Sequence, residues 1–180
     1  MDLVILDRDG VINEDRADFV RSPAQWVPVP GSLEAIARLC AAGIRVAVAT
    51  NQSGIGRGLY DEATLAAIHR RMESEIAKHG GHLDRIVYCP HHPDDDCACR
   101  KPRPGLLEQL AASYDRSLTD VPCIGDARRD LEAAVAVGAR PMLVLTGKGR
   151  ETLDALGNAA PEYYSDLSTA VDRLLGEDPP

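Results

Sequence analysis

Leu3-Val4-Ile5-Leu6-Asp7-Arg8-Asp9-Gly10 opens the chain with a short apolar run that stops on two carboxylates one residue apart. Four consecutive apolar residues suit a strand buried on both faces of a parallel sheet. Strand side chains alternate, so Asp7 and Asp9 project to the same side, and Gly10 lets the chain turn away without a Cβ in the way. Two carboxylates in one small volume repel unless a cation lies between them, a proton is shared, or one is consumed as a nucleophile. Ligands of open parallel sheets gather outside the carboxyl ends of the strands. The stretch therefore predicts a metal-assisted catalytic pair, against the plainer alternative of an Asp-rich exit into solvent.

Working outward, the apolar runs recur at Arg45–Ala49, Arg85–Cys89, Val121–Ile124 and Pro141–Leu145, with helical segments between them. This βαβ rhythm predicts an α/β fold with a mostly parallel sheet. Ser32 is expected to N-cap a helix running through Ala41, with Leu33, Ile36, Ala37, Leu39 and Cys40 as its apolar stripe and Gly43 as its stop. Leu65, Ile68, Met72 and Ile76 stand at helical spacing in a second helix from Asp61 to about Lys78. Leu106–Tyr114, Asp130–Val137 and Asp166–Leu175 supply further helices, Cys40 and Cys123 belong to the core, and Glu177–Pro180 is an expected frayed tail. No repeat, linker or low-complexity tract divides the chain, so one domain over 1–180 is expected.

Composition narrows the function. The net charge of -8 over 180 residues repels nucleic acid and anionic lipid, so an anionic substrate needs a local basic cluster or a metal. No apolar stretch approaches the roughly 20 residues of a membrane span, and a strand stands where a signal peptide would, which points to the cytosol. With one Phe and one Trp and 44% hydrophobic residues, the core must be mostly aliphatic. Five cysteines, three of them within the eleven residues from Cys89 to Cys99, suggest a metal more than disulfides in a reducing compartment.

Further pieces of chemistry follow the other strands. Thr50-Asn51-Gln52-Ser53-Gly54 is a hydroxyl- and amide-rich turn whose N–H groups could receive a phosphate. Arg100-Lys101-Pro102 places fixed cations before a helix. Ile124-Gly125-Asp126, with Asp130 four residues on, brings another carboxylate to a strand end, suited to an oxygen-liking ion such as Mg²⁺. Cys89, His91, Cys97 and Cys99 make a Cys₃His set for a tetrahedral structural zinc, with His92 as the alternative imidazole. Cys99 abuts Arg100-Lys101, so a metal there would pin those cations.

In this order the motifs resemble those of the haloacid dehalogenase superfamily: Asp-x-Asp-Gly, Thr50, Lys101 and Gly-Asp-x-x-x-Asp. The resemblance covers nearly the whole chain and implies a Rossmann-like three-layer sandwich. It further implies that Asp7 attacks phosphorus to form an aspartyl-phosphate, and that Asp9 protonates the leaving oxygen and later deprotonates water. Thr50 and Lys101 would bind phosphoryl oxygens. Mg²⁺ would be held by Asp7, the Asp9 carbonyl and Asp126, with Asp130 steadying it through water. Neither inter-motif gap is large enough for a cap domain, so an open site bounded by the loops Asn13–Phe19, Asn51–Gly58 and the zinc loop is expected.

Asp-Arg-Asp-Gly-Val-Ile-Asn, Thr-Asn-Gln-Ser-Gly-Ile-Gly-Arg-Gly, Cys-Pro-His and Cys-x-Cys-Arg-Lys-Pro closely resemble the D,D-heptose 1,7-bisphosphate phosphatases, which remove the 7-phosphate on the route to nucleotide-activated heptose for lipopolysaccharide core. That resemblance implies substrate contacts from Asp15, Asp18, Asn51, Gln52, Ser53 and Arg100, in a monomer acting on a small phosphorylated sugar. The alternative enzyme family is the histidinol-phosphate phosphatases, which share the zinc loop but have Asp in the second motif where Ser53 stands. Ala127 is a departure, since several heptose phosphatases have lysine after the motif-four aspartate. A zinc-loop binding module without catalysis is the alternative of another class, disfavoured by the intact set Asp7, Asp9, Thr50, Lys101 and Asp126.

Overall fold

The computed structural model describes residues 1–176, and the expected frayed tail lies outside them. Six strands, β1 (Leu3–Leu6), β2 (Arg45–Asn51), β3 (Arg85–Cys89), β4 (Pro122–Gly125), β5 (Arg140–Val144) and β6 (Tyr163–Tyr164), form one sheet in the order β3-β2-β1-β4-β5-β6. Every pairing is parallel. The helices are α1 (Ser32–Ala41), α2 (Glu62–Lys78), α3 (Gly105–Ser113), α4 (Arg128–Ala136), α5 (Gly149–Leu156) and α6 (Leu167–Leu175).

Period-two alternation sorts the core into two layers. Val4, Leu6, Val46 and Val48 face one side with Ile36 and Leu39 of α1, Ile68, Met72 and Ile76 of α2, and Val171 of α6. Leu3, Ile5, Ala47 and Ala49 face the other with Leu106 and Leu110 of α3 and Ala133 and Ala134 of α4. The result is the expected α/β three-layer arrangement. Because β2 and β4 flank β1 on opposite sides, a crevice opens at the carboxyl end of β1, the topological switch point of the sheet. Between β1 and β2 lies one short 3-10 turn, Pro23–Gln25, and α1, and between β2 and β3 lies α2 alone.

Several expectations need correction. The N-cap of α1 is Gly31 at φ 80°, and Ser32 is the first helical residue, its hydroxyl donating to the Ile12 carbonyl at 2.7 Å. β2 runs on through Thr50 and Asn51, which pair with Tyr88 and Cys89, so these two belong to the strand and not to the turn. Cys40 is only partly buried, its thiol 3.3 Å from the His82 carbonyl at the edge of the core. α4 begins at Arg128, two residues ahead of expectation, because Asp130 reaches back to the Ala127 N–H at 3.0 Å. α5 and β6 were not anticipated. α5 buries only Gly149 and Thr152, and β6 has two residues, so neither carries a readable apolar period.

Candidate active site

Asp7, at the end of β1, is buried, and its N–H donates to the Ile124 carbonyl of β4 at 2.9 Å, which ties the two strand ends together. Asp126 follows β4 and is 1% exposed. Gly10 is required here: a Cβ on it would come within 2.1 Å of Asp126 Oδ2, and one on Gly147 within 2.2 Å. Oδ2 of Asp126 accepts the Lys148 N–H at 2.8 Å, whereas its buried Oδ1 has no hydrogen-bond partner.

Lys101 crosses beneath these carboxylates. Its Nζ lies 3.0 Å from Asp7 Oδ1, 2.7 Å from Asp130 Oδ1 and 2.7 Å from the Ala49 carbonyl. Burial alone would discharge the amine, but Asp130 and Asp7 hold it firmly charged. Asp130 thus divides its carboxylate between Lys101 and the Ala127 N–H, and so helps to position Lys101. Arg129 adds a second positive charge that favours the ionised forms of Asp7 and Asp126, but two cations do not balance three buried carboxylates. Burial and the charges of Asp7 and Asp130 push Asp126 up to about 7, and burial raises Asp7 despite the nearby lysine. Ligand oxygens of Asp7, Asp126 and Asp130 all lie within 4.8 Å of one another. A buried, over-acidic oxygen cluster with an unpartnered oxygen is the donor set a hard divalent cation such as Mg²⁺ takes.

Asp9 stands beside this cluster in a different environment. Burial raises its pKa, but the Arg8 guanidinium and hydrogen bonds from Asn13, Arg8 and Gln52 outweigh that and hold it below the usual carboxylate range. Gln52 Nε2 reaches Asp9 Oδ2 and Thr50 Oγ1, both at 2.9 Å, and the Tyr60 hydroxyl donates to Gln52 Oε1 at 2.7 Å. Asn51 makes a two-bond clasp with the Lys101 backbone, donating to its carbonyl at 3.0 Å and accepting its N–H at 3.1 Å. The side-chain amides of Asn51 and Gln52 therefore orient Lys101 and Asp9, although both residues line the cleft.

That cleft, of about 360 Å³, opens above Asp7 and Asp9. Ser53, Asp15 and Arg100 line it, with Asp15 paired to Lys148 at 3.2 Å. Asp18 does not line it and pairs with Arg16 at the surface, 3.0 Å away. Ala17, Phe19 and Val20 also line it, with the cations Arg16, Arg57, Arg100, Arg129 and Lys148, and the Arg57 guanidinium stands over the Phe19 ring at 5.9 Å. The sequence reading missed Arg129, Lys148 and Arg57. A signal for Arg129 existed, since Arg128-Arg129 puts two cations in the first turn of a helix, where the dipole disfavours them.

The second donor cluster lies on the adjacent loop. The sulfurs of Cys89 and Cys97 are 3.6 Å apart, those of Cys97 and Cys99 3.6 Å, and His91 Nδ1 is 3.2 Å from Cys99 and 3.5 Å from Cys89. Ligands about 2.3 Å from a tetrahedral zinc stand roughly 3.7 Å apart along each edge, which these spacings approach. His92 is outside the cluster, its Nδ1 accepting the Asp94 N–H in the short 3-10 turn Pro93–Asp95.

A HAD-hydrolase-like family model matches residues 98–170. The chain is 52% identical to the D-glycero-beta-D-manno-heptose-1,7-bisphosphate 7-phosphatase of Bordetella bronchiseptica, over 98% of this chain and 99% of that protein. It is 51% identical to the enzyme of the same name from Pseudomonas putida, over 97% and 100%. The crystal structure of D,D-heptose 1,7-bisphosphate phosphatase from B. bronchiseptica, complexed with magnesium and phosphate, superposes with a TM-score of 0.95, covering 99% of this chain and 100% of that one at 51% identity. On this likeness, which runs through both strand-end carboxylates and the Cys/His loop, the chain belongs to the heptose-1,7-bisphosphate 7-phosphatase family of the haloacid dehalogenase superfamily.

Proposed function

We propose that the protein hydrolyses the 7-phosphate of D-glycero-β-D-manno-heptose 1,7-bisphosphate, a step towards ADP-heptose. The observation that carries this reading is the placement of Asp7 in a cleft that several cations line, in a chain half identical to enzymes of that name. The reading implies a cytosolic protein acting on a small sugar bisphosphate, as a monomer. Among the described residues no helix is long and apolar enough to cross a membrane.

The carboxylate of Asp7 attacks phosphorus and the bond from phosphorus to the sugar oxygen breaks, leaving an aspartyl-phosphate. Asp9 gives its proton to the departing oxygen, then takes one from the water that attacks the same phosphorus, which restores Asp7 and releases phosphate. Arg8, Asn13 and Gln52 hold Asp9 ionised in the empty site, so the proton it gives to the departing oxygen is one it takes up as the substrate binds, when the negative charge of the phosphoryl group beside it favours the protonated form. Lys101 and Thr50 bind oxygens of the group in transfer, and Lys101 lowers the repulsion that Asp7 presents to an anionic substrate. Asp7, Asp126 and the Asp9 carbonyl would hold Mg²⁺, which when bound offsets charge on the phosphoryl group. Cys89, His91, Cys97 and Cys99 would hold zinc as a brace for the segment that carries Arg100 and Lys101. Ser53 and Arg100 contact the sugar or its second phosphate.

Assaying heptose 1,7-bisphosphate and histidinol phosphate side by side tests the reading. A kcat/KM at least about a hundredfold higher for the bisphosphate is expected. The reverse order would assign the chain to the amino-alcohol phosphate instead, and loss of magnesium-dependent release from an aryl phosphate would return it to a binding module. In Asp7→Asn the attacking charge is gone at nearly constant volume, so turnover should vanish while the fold survives; a phosphorylated intermediate trapped on any other residue sinks the mechanism.

A further inference from the structure

Tyr60 is buried one hydrogen-bonded link away from Asp9 and has no part in the chemistry described above. The chain between Gln52 and Tyr60 folds back on itself, the Arg57 N–H donating to the Ser53 carbonyl at 2.9 Å and the Leu59 N–H to the Gly54 carbonyl at 2.8 Å. This returns Tyr60 to Gln52, and Gly54 leaves room for the ring, since a Cβ there would come within 2.1 Å of Tyr60 Cε1. Asp61 N-caps α2 immediately afterwards, accepting the Thr64 N–H at 2.8 Å, so the tyrosine is fixed from both sides. A glycine and an aromatic residue of one loop thus bring one phenol to one amide.

The orientation of that amide matters to both reacting partners. Gln52 Nε2 donates to Asp9 Oδ2 and to Thr50 Oγ1, both at 2.9 Å, so each of its two protons has an acceptor. A carboxylate only accepts, and an amide turned over would set Oε1 against Asp9. Thr50, having accepted from Nε2, keeps its own hydroxyl proton for an oxygen of the phosphoryl group. Among the described residues Oε1 of Gln52 accepts from the Tyr60 hydroxyl alone, at 2.7 Å, and Gln52 is 3% exposed. Without the phenol that oxygen would be a buried acceptor lacking a protein donor, and nothing on that side would oppose the turned-over amide. Burial pushes the phenol up to about 12, which keeps the donor proton on it at neutral pH.

We propose that Tyr60 is a positioning residue, its hydroxyl locking the Gln52 amide in the one orientation that presents Nε2 to both Asp9 and Thr50. It acts through the amide and not on the reacting atoms. The proposal rests on the roles given to Asp9 and Thr50 above.

The test is a double-variant cycle read as kcat/KM on substrates with different leaving groups. Tyr60→Phe removes the hydroxyl and keeps the ring, and kcat/KM should fall about tenfold for heptose 1,7-bisphosphate and for phenyl phosphate. For 4-nitrophenyl phosphate, whose leaving oxygen needs little protonation, the fall should be at most about threefold. Asp9→Asn on the same substrates is the reference. If it separates them and Tyr60→Phe does not, the proposal is overturned; if Asp9→Asn itself fails to separate them, the acid–base reading of Asp9 falls, and the cycle still decides the role of Tyr60. On a Gln52→Met background, which keeps the length of the side chain without its amide, Tyr60→Phe should cost at most about twofold, because the group it acts through is gone. A second loss of about tenfold there overturns the proposal, since a packing role would outlast the amide. Failure of the wild type to hydrolyse the bisphosphate would overturn the substrate reading alone, as the two aryl phosphates carry the comparison.

Discussion

Arg8 lies directly behind Asp9, 1% exposed, with its Nη2 2.7 Å from Asp9 Oδ1 and 3.0 Å from Oδ2. The residue between the two carboxylates points away from the crevice and becomes a buried counter-charge for the acid–base group. His69 of α2 sits behind it, its Nε2 3.4 Å from Arg8 Nη1. Removing one partner of such a pair leaves the other charge exposed to a poor environment. Arg8→Met should therefore cost roughly 3 kcal/mol of stability and slow turnover about a hundredfold by freeing Asp9 from its orientation. Urea unfolding and steady-state kinetics check both effects, and a variant with normal turnover would mean that Asn13 and Gln52 suffice to place Asp9.

The sheet and the reacting groups were legible because their signals are local. An apolar tetrapeptide ending in Asp7 and Asp9, and Gly125-Asp126 after another apolar run, announce strand ends directly. What was not legible depends on distance. Nothing near Asn51 in sequence reveals that its amide closes on the Lys101 backbone fifty positions away, and nothing near Asp130 reveals that Lys101 occupies its carboxylate. Asp18 looked like its neighbour Asp15, but a loop turns one into the cleft and the other to Arg16. Arg129 is hidden in the same way, since nothing near it in sequence distinguishes its cleft-lining side chain from that of Arg128, which pairs with Glu132 at the surface.

Stability should respond to acid through His69. Burial, aided by the Arg8 charge and opposed by Asp9, lowers its pKa from 6.5 to about 3, and the ring stands edge-on to Tyr88 at 6.0 Å. The unfolded chain thus takes up a proton that the native state refuses. Above about 6.5 both states are neutral at this site, and as pH falls towards 3 the native state loses stability, at about 1.4 kcal/mol per unit. His69→Gln removes this titration. Between about pH 6 and pH 4 its stability should fall less steeply than that of wild type by roughly that amount, and parallel curves would show that His69 is protonated in the native protein.

The Cys₃His loop predicts a metal that supports folding more than chemistry. Four protein ligands leave no open position, and the loop has little apolar content of its own to order it. One zinc per chain is expected in protein purified without chelator. Cys97→Ser should lower the melting temperature by roughly 10 °C and reduce kcat/KM indirectly, through Arg100 and Lys101. Protein that carries no zinc yet melts like wild type after chelator treatment would remove the metal from the account.

Asn51 separates a positioning role from a recognition role. Its two hydrogen bonds, 3.0 and 3.1 Å, fix the Lys101 backbone, and Lys101 Nζ in turn lies between Asp7, Asp130 and the Ala49 carbonyl. Asn51→Ala leaves a buried carbonyl and N–H without partners, at a cost of roughly 2 kcal/mol. Since Lys101 serves the phosphoryl group common to every substrate, kcat/KM should fall about tenfold for heptose bisphosphate and for an aryl phosphate alike. Asn51→Asp can still accept the Lys101 N–H but cannot donate to the Lys101 carbonyl, so an intermediate loss on both substrates is expected. A loss confined to the bisphosphate would mean that the amide reads the sugar or its second phosphate directly, and the clasp with Lys101 would then be incidental to catalysis.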